Sequence, residues 1–449
     1  MIWTILLFTI ILRLVGADQS MWLDEAISAN VAKLPIDQIV SNFSVGDFHP
    51  PVYYWFLNLW VKFFGSTVVA MRLSSVFFSI ITVLGVYKIG GKLKDKKVAL
   101  WAAWFVAINP LLIYYGQELR MYAMATMWLV WAVYYWIKII KDKKKSVKSW
   151  VLFNSFCLLA FVTFYASAFL IGAMILYFLV KKEWKNFVKS ILGIGIAIII
   201  ISPLLLGQLK MSAEALKLVT NWSLVLGKVN LKNLLLIPLK FSVGRISWYP
   251  KNAYYIVAGL WTFFVWLVVL RNFKKEKELV WLMVIPLVLG IVFSFKSPMV
   301  QYFRFLYLVP ILGILLAKER MNLIKILLSV GFLGFSLFYS LNPVMHREDW
   351  RSLANQLVSS SVHQIYMVKS FEDPIKFYNP DINILDIRDK ISENNVWVVP
   401  YGEVIHGVNH NKILEDEGYR LEKQINFREN ILEEWQKCSD KDFKGAICI

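Results

Sequence analysis

The feature that most constrains this chain is a succession of apolar runs, each long enough to cross a lipid bilayer. Of its 449 residues, 58% are hydrophobic and 16% are aromatic. Because the hydrocarbon core offers no water to backbone groups, such runs must satisfy their hydrogen bonds within helices. Their continuity also differs from the alternation that is typical of barrel strands. The sequence therefore predicts a polytopic α-helical membrane protein.

About eleven crossings are predicted from the lengths of these runs. The expected spans are residues 1–16, 67–87, 98–115, 119–137, 149–164, 165–180, 188–206, 253–270, 279–295, 303–316 and 322–341. The piece at 231–243 is too short and too interrupted to span, so we assign it to an interfacial helix. The first span has neither a basic leader nor a small-residue cleavage pattern, and it is expected to stay in place as an uncleaved helix.

The basic residues predict the orientation, since short cytoplasmic loops are rich in Lys and Arg. They cluster in alternate connections, namely 92–97, 141–145, 181–182, 271–277 and 318–325. The loop at 17–66 carries Lys33 and Lys62 as its only Lys or Arg residues, so it is expected outside a cell membrane. The segment 207–252 lies between the cytoplasmic connections 181–182 and 271–277 and is also expected outside. Anionic cytoplasmic lipids explain much of the net charge of +18. With no basic stripe between exposed aromatics, membrane lipids and not nucleic acid are the expected partners.

The composition changes after Leu341, where Asn342-Pro343 ends the last apolar run. An odd number of crossings would place the remaining residues outside the cell. Short apolar runs in this tail predict buried strands at 365–368, 382–387 and 396–399, with helical stretches between them. We therefore predict a transmembrane domain at 1–341 and a small extracytoplasmic α/β domain at 342–449.

Cysteine is scarce in this chain. Cys157 lies in a predicted span, and Cys438 and Cys448 lie near the carboxyl end. The last two residues could form one disulfide outside the cell or remain free thiols.

A pair of adjacent carboxylates, Asp24 and Glu25, follows the first span and precedes His49-Pro50-Pro51. A carboxylate at a membrane surface can act as a general base, but Asp and Glu are also ordinary residues at the start of a helix. The ring of His49 can donate a hydrogen bond to a phosphate or an acceptor in either protonation state. The alternative is a solvated loop histidine in front of two helix-starting prolines.

Three arginines, Arg72, Arg120 and Arg304, are expected near the outer ends of predicted helices. A guanidinium there can bind phosphate oxygens in a bidentate way. Each of them could instead extend to the interface or pair with an acid such as Glu118. Tyr122 follows Arg120 by two residues and could assist it, although a packed tyrosine is the simpler interpretation.

Several motifs in their combined order resemble the GT-C superfamily of membrane glycosyltransferases that use polyprenyl-phosphate sugars. They are Asp24-Glu25, the stretch His49-Pro-Pro-Val-Tyr-Tyr-Trp55, the stretch Met71-Arg-Leu-Ser-Ser75, Asn109-Pro110 through Tyr122, and Gln301-Tyr-Phe-Arg-Phe305. The chain is similar to protein O-mannosyltransferases and to lipid A aminoarabinose transferases. It lacks the large luminal MIR domain of the former, and its soluble tail with Asp349-Trp350-Arg351 looks like that of bacterial and archaeal members.

The resemblance implies a GT-C fold and transfer of a monosaccharide from polyprenyl phosphate to a hydroxyl group of a lipid, glycan or protein outside the cell. It implies that Asp24 acts as general base or orients the acceptor, because relatives carry their catalytic acid at the first position of this pair, and that Glu25 supports it. A direct attack by the acceptor would invert the anomeric carbon. The segment that contains Arg245 is expected to form a partly mobile cover, for which Gly244 and Pro250 are suitable, although they are also ordinary loop residues.

Two questions stay open at this point. Asp24, Glu25 and Asp47 could supply oxygen ligands to a divalent ion, but the loop has no tight DxD and the chain has no HExxH, so we assign no metal site. The alternative function is a lipid-linked saccharide flippase or transporter, and a noncatalytic scaffold is a third. A transporter commonly has charges along a central path and related halves, and no duplicated half is apparent in this sequence.

Overall fold

The computed structural model describes residues 1–438 except 45, 48, 144, 145, 220 and 274. The chain forms two compact units. Unit one consists of Met1–Ala17, Pro35–Met211 and Leu226–Met345, and unit two consists of Asp18–Leu34, Ser212–Val225 and His346–Ile449. The segment that carries Asp24 and Glu25 is therefore grouped with the carboxyl-terminal residues.

The described helices are numbered in chain order. The first ten are α1 Ile2–Leu14, α2 Leu23–Val31, α3 Ile36–Gln38, α4 Val52–Phe64, α5 Val68–Leu93, α6 Lys96–Ile108, α7 Pro110–Gln117, α8 Tyr122–Lys141, α9 Val147–Thr163 and α10 Ser167–Val180. The next seven are α11 Trp184–Leu218, α12 Trp222–Leu226, α13 Leu231–Val243, α14 Lys251–Phe273, α15 Lys277–Ser294, α16 Val309–Ala317 and α17 Asn322–Leu341. The last four are α18 Trp350–Ser359, α19 Asp373–Tyr378, α20 Glu403–His406 and α21 His410–Asp416.

The apolar helices of unit one confirm the predicted helical membrane fold. Six described helices are long and apolar enough to cross a membrane, and α6 with α7 forms a pair bent by 59° that would make a seventh. Shorter apolar helices occur at Ile2–Leu14, Val147–Thr163, Ser167–Val180 and Tyr302–Ala317. Every predicted span overlaps one of these helices, and the piece at 231–243 is helical as α13. The number of crossings stays a prediction, because length and composition alone identify a span.

The core of unit one is built on α5, which packs against α6 and α8, while α8 packs against α9 and α6 against α16. The apolar stretches of α11, α14 and α17 are only 22%, 28% and 39% buried within the protein. Exposed apolar surface of this extent is what a lipid environment covers. The inner helices therefore position polar residues, and the outer ones are suited to contact lipid.

The break between α6 and α7 has a clear chemical basis. Pro110 has no N–H to donate, and the N–H groups of Leu111 and Leu112 bond to Asn109 Oδ1 at 3.0 and 3.1 Å. The carbonyls of the preceding turn therefore need other donors. Arg13 Nη1 donates to the carbonyl of Ala107 at 3.0 Å. Likewise, Ser336 Oγ donates to Ile108 O at 2.7 Å, so side chains from α1 and α17 stabilise the break.

The sheet of unit two confirms the predicted α/β domain. Its strands are β1 Gln364–Met367, β2 Asn383–Asp386, β3 Asn395–Val398, β4 Tyr419–Phe427 and β5 Asn430–Lys437, in the order β2-β1-β3-β5-β4. Strand β1 is parallel to β2, with Ile365 opposite Ile384, and to β3, with Tyr366 opposite Val398. The pairs β3–β5 and β5–β4 are antiparallel. The three strands predicted from apolar runs are β1, β2 and β3.

Apolar side chains from the sheet and from α18 form the core of unit two. Trp350 and Leu353 of α18 pack with residues of the sheet such as Ile365 and Val396. Leu23 of α2 is partly buried against the same core. The disulfide considered between Cys438 and Cys448 involves a residue outside the described part of the chain.

Candidate functional site

Asp47 is the centre of a polar cluster in unit one. Its Oδ1 lies 3.0 Å from Nδ1 of His49, and its Oδ2 accepts a hydrogen bond of 2.9 Å from the hydroxyl of Tyr54. Tyr54 reaches it because α4 begins directly after Pro50-Pro51, which ends the loop. The predicted site residue His49 therefore has a carboxylate partner that fixes its ring.

The charge of Asp47 is stabilised by its neighbours. Burial alone would raise the pKa of Asp47, but His49, Arg120 and Tyr54 together bring it below its ordinary value. The same neighbourhood raises the pKa of Tyr54, through burial first and then through the charge of Asp47. Asp47 is thus ionised at neutral pH and lies within the field of Arg120. The structure therefore brings His49 and Arg120 together around one acid.

Aromatic rings line this cluster. The ring of His49 is stacked on that of Phe164 with centroids 6.4 Å apart, and Phe164 contacts Tyr122 at 5.5 Å. Tyr122 also contacts Phe303 at 5.5 Å and Tyr115 at 5.1 Å. Tyr122 is therefore packed among aromatic rings, as the simpler interpretation expected, and it connects the His49 cluster to the Phe303 side of the unit.

Arg304 lies next to this aromatic wall. Its Nη1 donates to the carbonyls of Leu226 and Pro298 at 3.0 and 3.2 Å, and its guanidinium carbon lies 5.8 Å from the centre of the Phe303 ring. These bonds hold the segments that contain Leu226 and Pro298. Arg304 thus has a structural role through one nitrogen of its guanidinium.

Arg72 binds the backbone at the end of the first predicted span. It is only 1% exposed, and its Nη1 donates to the carbonyl of Ala17 at 2.9 Å. Such a contact satisfies one of the carbonyls that follow α1. This contact gives Arg72 a structural role that does not depend on a phosphate.

Arg245 belongs to a second polar cluster in unit one. Its guanidinium carbon lies 5.2 Å from the centre of the Tyr114 ring, and the Tyr114 hydroxyl donates to Glu118 Oε1 at 3.3 Å. Gly244 precedes it with a φ of +76°, and a side-chain carbon there would lie 2.8 Å from Pro110. The loop that carries Arg245 is therefore packed tightly against the start of α7.

Asp24 and Glu25 lie in the first turn of α2, in unit two. The residue at the N-cap position is Trp22, so both acids occupy the start of the helix without capping it. Glu25 is 2% exposed. Burial, and then the charges of Glu348 and Asp24, raise the pKa of Tyr401, whose hydroxyl donates to Glu348 at 3.0 Å. Arg347 lowers the same pKa, so Asp24 lies in a neighbourhood of mixed charge formed by carboxyl-terminal residues.

The question of a metal ion stays open. Within the described ranges, no group of three or more His, Cys, Asp or Glu side chains is arranged to hold a metal ion. Asp47, which the sequence offered as an oxygen ligand, instead bonds to His49 and Tyr54.

Comparisons with known proteins relate this architecture to membrane transferases. The family model described as dolichyl-phosphate-mannose-protein mannosyltransferase matches residues 48–206. No curated protein sequence matches the chain. Among solved structures, ArnT from Cupriavidus metallidurans bound to undecaprenyl phosphate is similar at 12% identity with a TM-score of 0.61, and the match covers 96% of this chain and 97% of that one.

The chain has the GT-C fold. Two further GT-C structures are similar to it. The archaeal oligosaccharyltransferase AglB from Archaeoglobus fulgidus has 11% identity and a TM-score of 0.54, with 94% of this chain and 72% of that chain covered. The arabinofuranosyltransferase AftD from Mycobacteria has 13% identity and a TM-score of 0.55, with 98% and 40% covered. The GT-C fold that the motifs implied is therefore confirmed over nearly the whole chain.

Two polar residues of this GT-C chain were missed as site residues by the sequence reasoning. Asp47 was considered only as a metal ligand, although an acid two residues before His49 was a usable signal. Gln208 of α11 donates to the carbonyls of Ser44 and His49 at 2.7 and 3.0 Å, and it accepts from the hydroxyl of Tyr165 at 2.6 Å. An amide directly after the apolar run 191–207 was its only signal.

Proposed function

We propose that this chain transfers a monosaccharide from a polyprenyl-phosphate donor to a hydroxyl acceptor on the extracytoplasmic side of the membrane. The observation that carries the proposal is the grouping of His49 and Arg120 around Asp47. Both partners lie in the stretch 48–206 that matches the mannosyltransferase family model. A partly buried cluster of an acid, an imidazole and a guanidinium on a GT-C fold is suited to hold a phosphate.

The chemistry requires few groups. The donor already carries a phosphate leaving group, so the enzyme has to deprotonate the acceptor hydroxyl and stabilise the negative charge that develops on the departing phosphate. His49 and Arg120 are the groups proposed to stabilise that charge. Asp47 orients His49 and attracts Arg120 through its charge, and it does not act as the base, because its carboxylate is already bonded to His49 and Tyr54.

The base is proposed to be Asp24, with Glu25 in support. This assignment rests on residue type, on a position in the first turn of a helix, and on the resemblance. A single displacement by the acceptor would invert the anomeric carbon.

The other predicted binding residues receive narrower roles. Arg72 and Arg304 already bind backbone carbonyls, so we propose that they stabilise the site and do not bind the leaving phosphate directly. We propose that Arg245 acts on the acceptor side, from its position against Tyr114.

The similar structures support the substrate class. The ArnT structure is described with undecaprenyl phosphate, and the AglB structure with a dolichol-phosphate and an inhibitory peptide. A polyprenyl-phosphate donor and a lipid, glycan or peptide acceptor are therefore the first substrates to test. The basic loops on alternate connections support an outer location for the proposed base.

The test is transfer of label from a panel of radiolabelled polyprenyl-phosphate sugars by membranes that contain the wild type, Asp24→Asn or Asp37→Asn at equal expression. Asp37 is an exposed acid of the adjacent helix α3 and serves as the matched control. We expect transfer by the wild type and by Asp37→Asn, and its loss in Asp24→Asn.

Each alternative outcome has a distinct meaning. Full activity of Asp24→Asn would keep the transferase and displace its base. Donor lipid that crosses the bilayer without transfer of its sugar would favour the flippase instead. A parallel assay with a chelator determines whether a divalent ion is needed.

A further inference from the structure

Helix α2, which carries Asp24 and Glu25, cannot define its own position. It has only nine residues, and its N-cap residue Trp22 makes no side-chain capping hydrogen bond. An isolated helix of this length is not stable in water. Its helical state and its direction must therefore come from residues that pack against it, and these lie far along the chain.

The residues that precede α2 are held by α18 and α19. Arg351 of α18 binds Asp18 through two nitrogens, at 3.0 and 3.2 Å, and its backbone N–H donates to Ser20 Oγ at 3.1 Å. The backbone N–H of Met21 donates to the hydroxyl of Tyr378 of α19 at 2.9 Å. This segment is thus fixed by backbone and side-chain bonds at Asp18, Ser20 and Met21.

A cation–aromatic contact adds to these bonds at the N-cap. The guanidinium carbon of Arg347 lies 3.7 Å from the centre of the Trp22 ring, two residues before Asp24. An arginine at this distance over an indole makes a favourable electrostatic contact. The start of α2 is therefore attached directly to the segment that leads into α18.

The other end of α2 is held by α19. Asn30 Nδ2 donates to Asp373 Oδ1 at 2.8 Å and to Asp373 O at 3.2 Å. Lys33 Nζ, just beyond the helix, lies 4.7 Å from the centre of the Phe377 ring. Because both ends of α2 are held, the helix can neither rotate nor slide without breaking several contacts.

We propose that α18 and α19 are the positioning element for the acid-bearing helix α2, so that the carboxyl-terminal domain orders the helix from which Asp24 acts. This inference rests on the proposed function for its catalytic consequence. Arg351, Tyr378 and Asp373 are positioning residues, since they act on Asp24 through the backbone of the segment 18–34. A rigid α2 would place the carboxylate in advance, which lowers the barrier of the step that it assists.

The test uses charge reversal in the full-length protein in lipid nanodiscs. Arg351→Glu places two negative charges together at Asp18, and the double variant Asp18→Arg/Arg351→Glu restores an opposite pair. We expect the single variant to lower kcat by about tenfold with little change in the binding of polyprenyl phosphate, and to speed hydrogen exchange in residues 23–31. The double variant is expected to recover both properties.

Two further variants complete the design. Tyr378→Phe removes the acceptor for the Met21 N–H without a change of charge, and it is expected to speed exchange in the same residues. Arg420→Glu changes an exposed arginine of β4 whose local partner is Glu422 and serves as the matched control with wild-type values.

The outcomes separate the two proposals. Wild-type kcat and exchange in Arg351→Glu would overturn the inference, and so would a double variant that remains as slow as the single one. Faster exchange with full kcat would show that α18 and α19 order α2 without any effect on catalysis, which also overturns the inference. If the wild type transfers no polyprenyl-phosphate sugar, the proposed function fails, while the exchange readout still determines whether α18 and α19 order α2.

Discussion

At the scale of single residues, close contacts of buried polar groups define unit one. Gly116 of α7 shows this clearly, because a side-chain carbon at its position would lie 2.6 Å from Arg13 Nε and 2.6 Å from Ser79 Oγ. Arg13 is 1% exposed and donates to the carbonyls of Ala107 and Leu112 on either side of the break. These bonds hold the buried guanidinium in place.

Gly116→Ala is therefore expected to destabilise the protein by about 1–3 kcal/mol, because the added methyl group displaces Arg13 or Ser79. Gly195→Ala is the matched control, since no atom lies within 4 Å of a side-chain carbon there and Gly195 lies inside α11. That control is expected to be neutral or to stabilise by roughly 0.5–1 kcal/mol. The measurement is denaturant unfolding of the purified protein in detergent. Equal losses in the two variants would contradict the role of Gly116.

Asp47→Asn is expected to lower kcat/KM by about tenfold to a hundredfold, because neutralising Asp47 loosens His49 and leaves Arg120 without the neighbouring negative charge. The transfer assay measures this effect, with Asp37→Asn as the control. An Asp47→Asn variant that is folded and fully active would show that the cluster is not part of the site.

At the scale of elements, the bend between α6 and α7 places two tyrosines of α7 beside predicted site residues. Tyr114 contacts Arg245, and Tyr115 contacts Tyr122. Asn109 makes this possible, because its side chain accepts from Leu111 and Leu112 and donates to the carbonyl of Phe241 at 3.0 Å. The bend therefore depends on one side chain that satisfies three backbone groups.

Asn109→Ala is expected to cost about 1–2 kcal/mol of stability through the loss of the cap, with a further loss of activity as α7 moves. Asn109→Ser keeps an N-cap acceptor and loses the bond to Phe241 O, so it is expected to lose about half as much. Thermal unfolding and the transfer assay on both variants measure these effects. An Ala variant as stable as the Ser variant would show that the cap is not what stabilises the bend.

In unit two, His410 joins α21 to the sheet. Its Nδ1 lies 2.9 Å from Glu403 Oε2 and its Nε2 lies 2.8 Å from Glu433 Oε2. Burial alone would lower the pKa of His410, but the bonds to Glu403 and Glu433 raise it to about 9. The imidazolium form is therefore the one that this arrangement stabilises.

The pKa of His410 is higher in the folded state than its ordinary value of 6.5. Its contribution to the free energy of unfolding is therefore complete below about pH 6.5 and is lost as the pH rises through about 9. The free energy of unfolding is expected to fall by roughly 3 kcal/mol over this pH range. Urea unfolding of unit two, followed by a fluorophore at position 426, measures it between pH 6 and pH 9.5. His410→Gln should remove this pH dependence, and a variant that retains it would refute the assignment.

At the scale of the whole molecule, the distribution of basic loops predicts the orientation. In a background where Cys157, Cys438 and Cys448 are serine, Glu415→Cys is expected to react with a membrane-impermeant maleimide on intact cells. Lys275→Cys is expected to react only after the membrane is permeabilised. The opposite labelling pattern would place the proposed reaction in the cytoplasm.

The sequence by itself determined the helical membrane fold, the place of each apolar helix and the strands β1 to β3. Hydropathy and periodicity are local properties, and they follow from which side chains enter lipid or a core. The GT-C motifs likewise occur in short stretches of consecutive residues. For this reason these parts could be predicted without a structure.

Only the tertiary structure decided which distant residues meet. It grouped the segment 18–34 with the carboxyl-terminal residues, placed Asp47 between His49 and Tyr54, and gave Arg72 and Arg304 backbone partners. Such pairings depend on how helices pack, and an arginine near a helix end has the same local sequence signal whether it binds a carbonyl or a phosphate. The physical reason is that hydrogen bonds between residues far apart in the chain leave no periodic trace in the sequence.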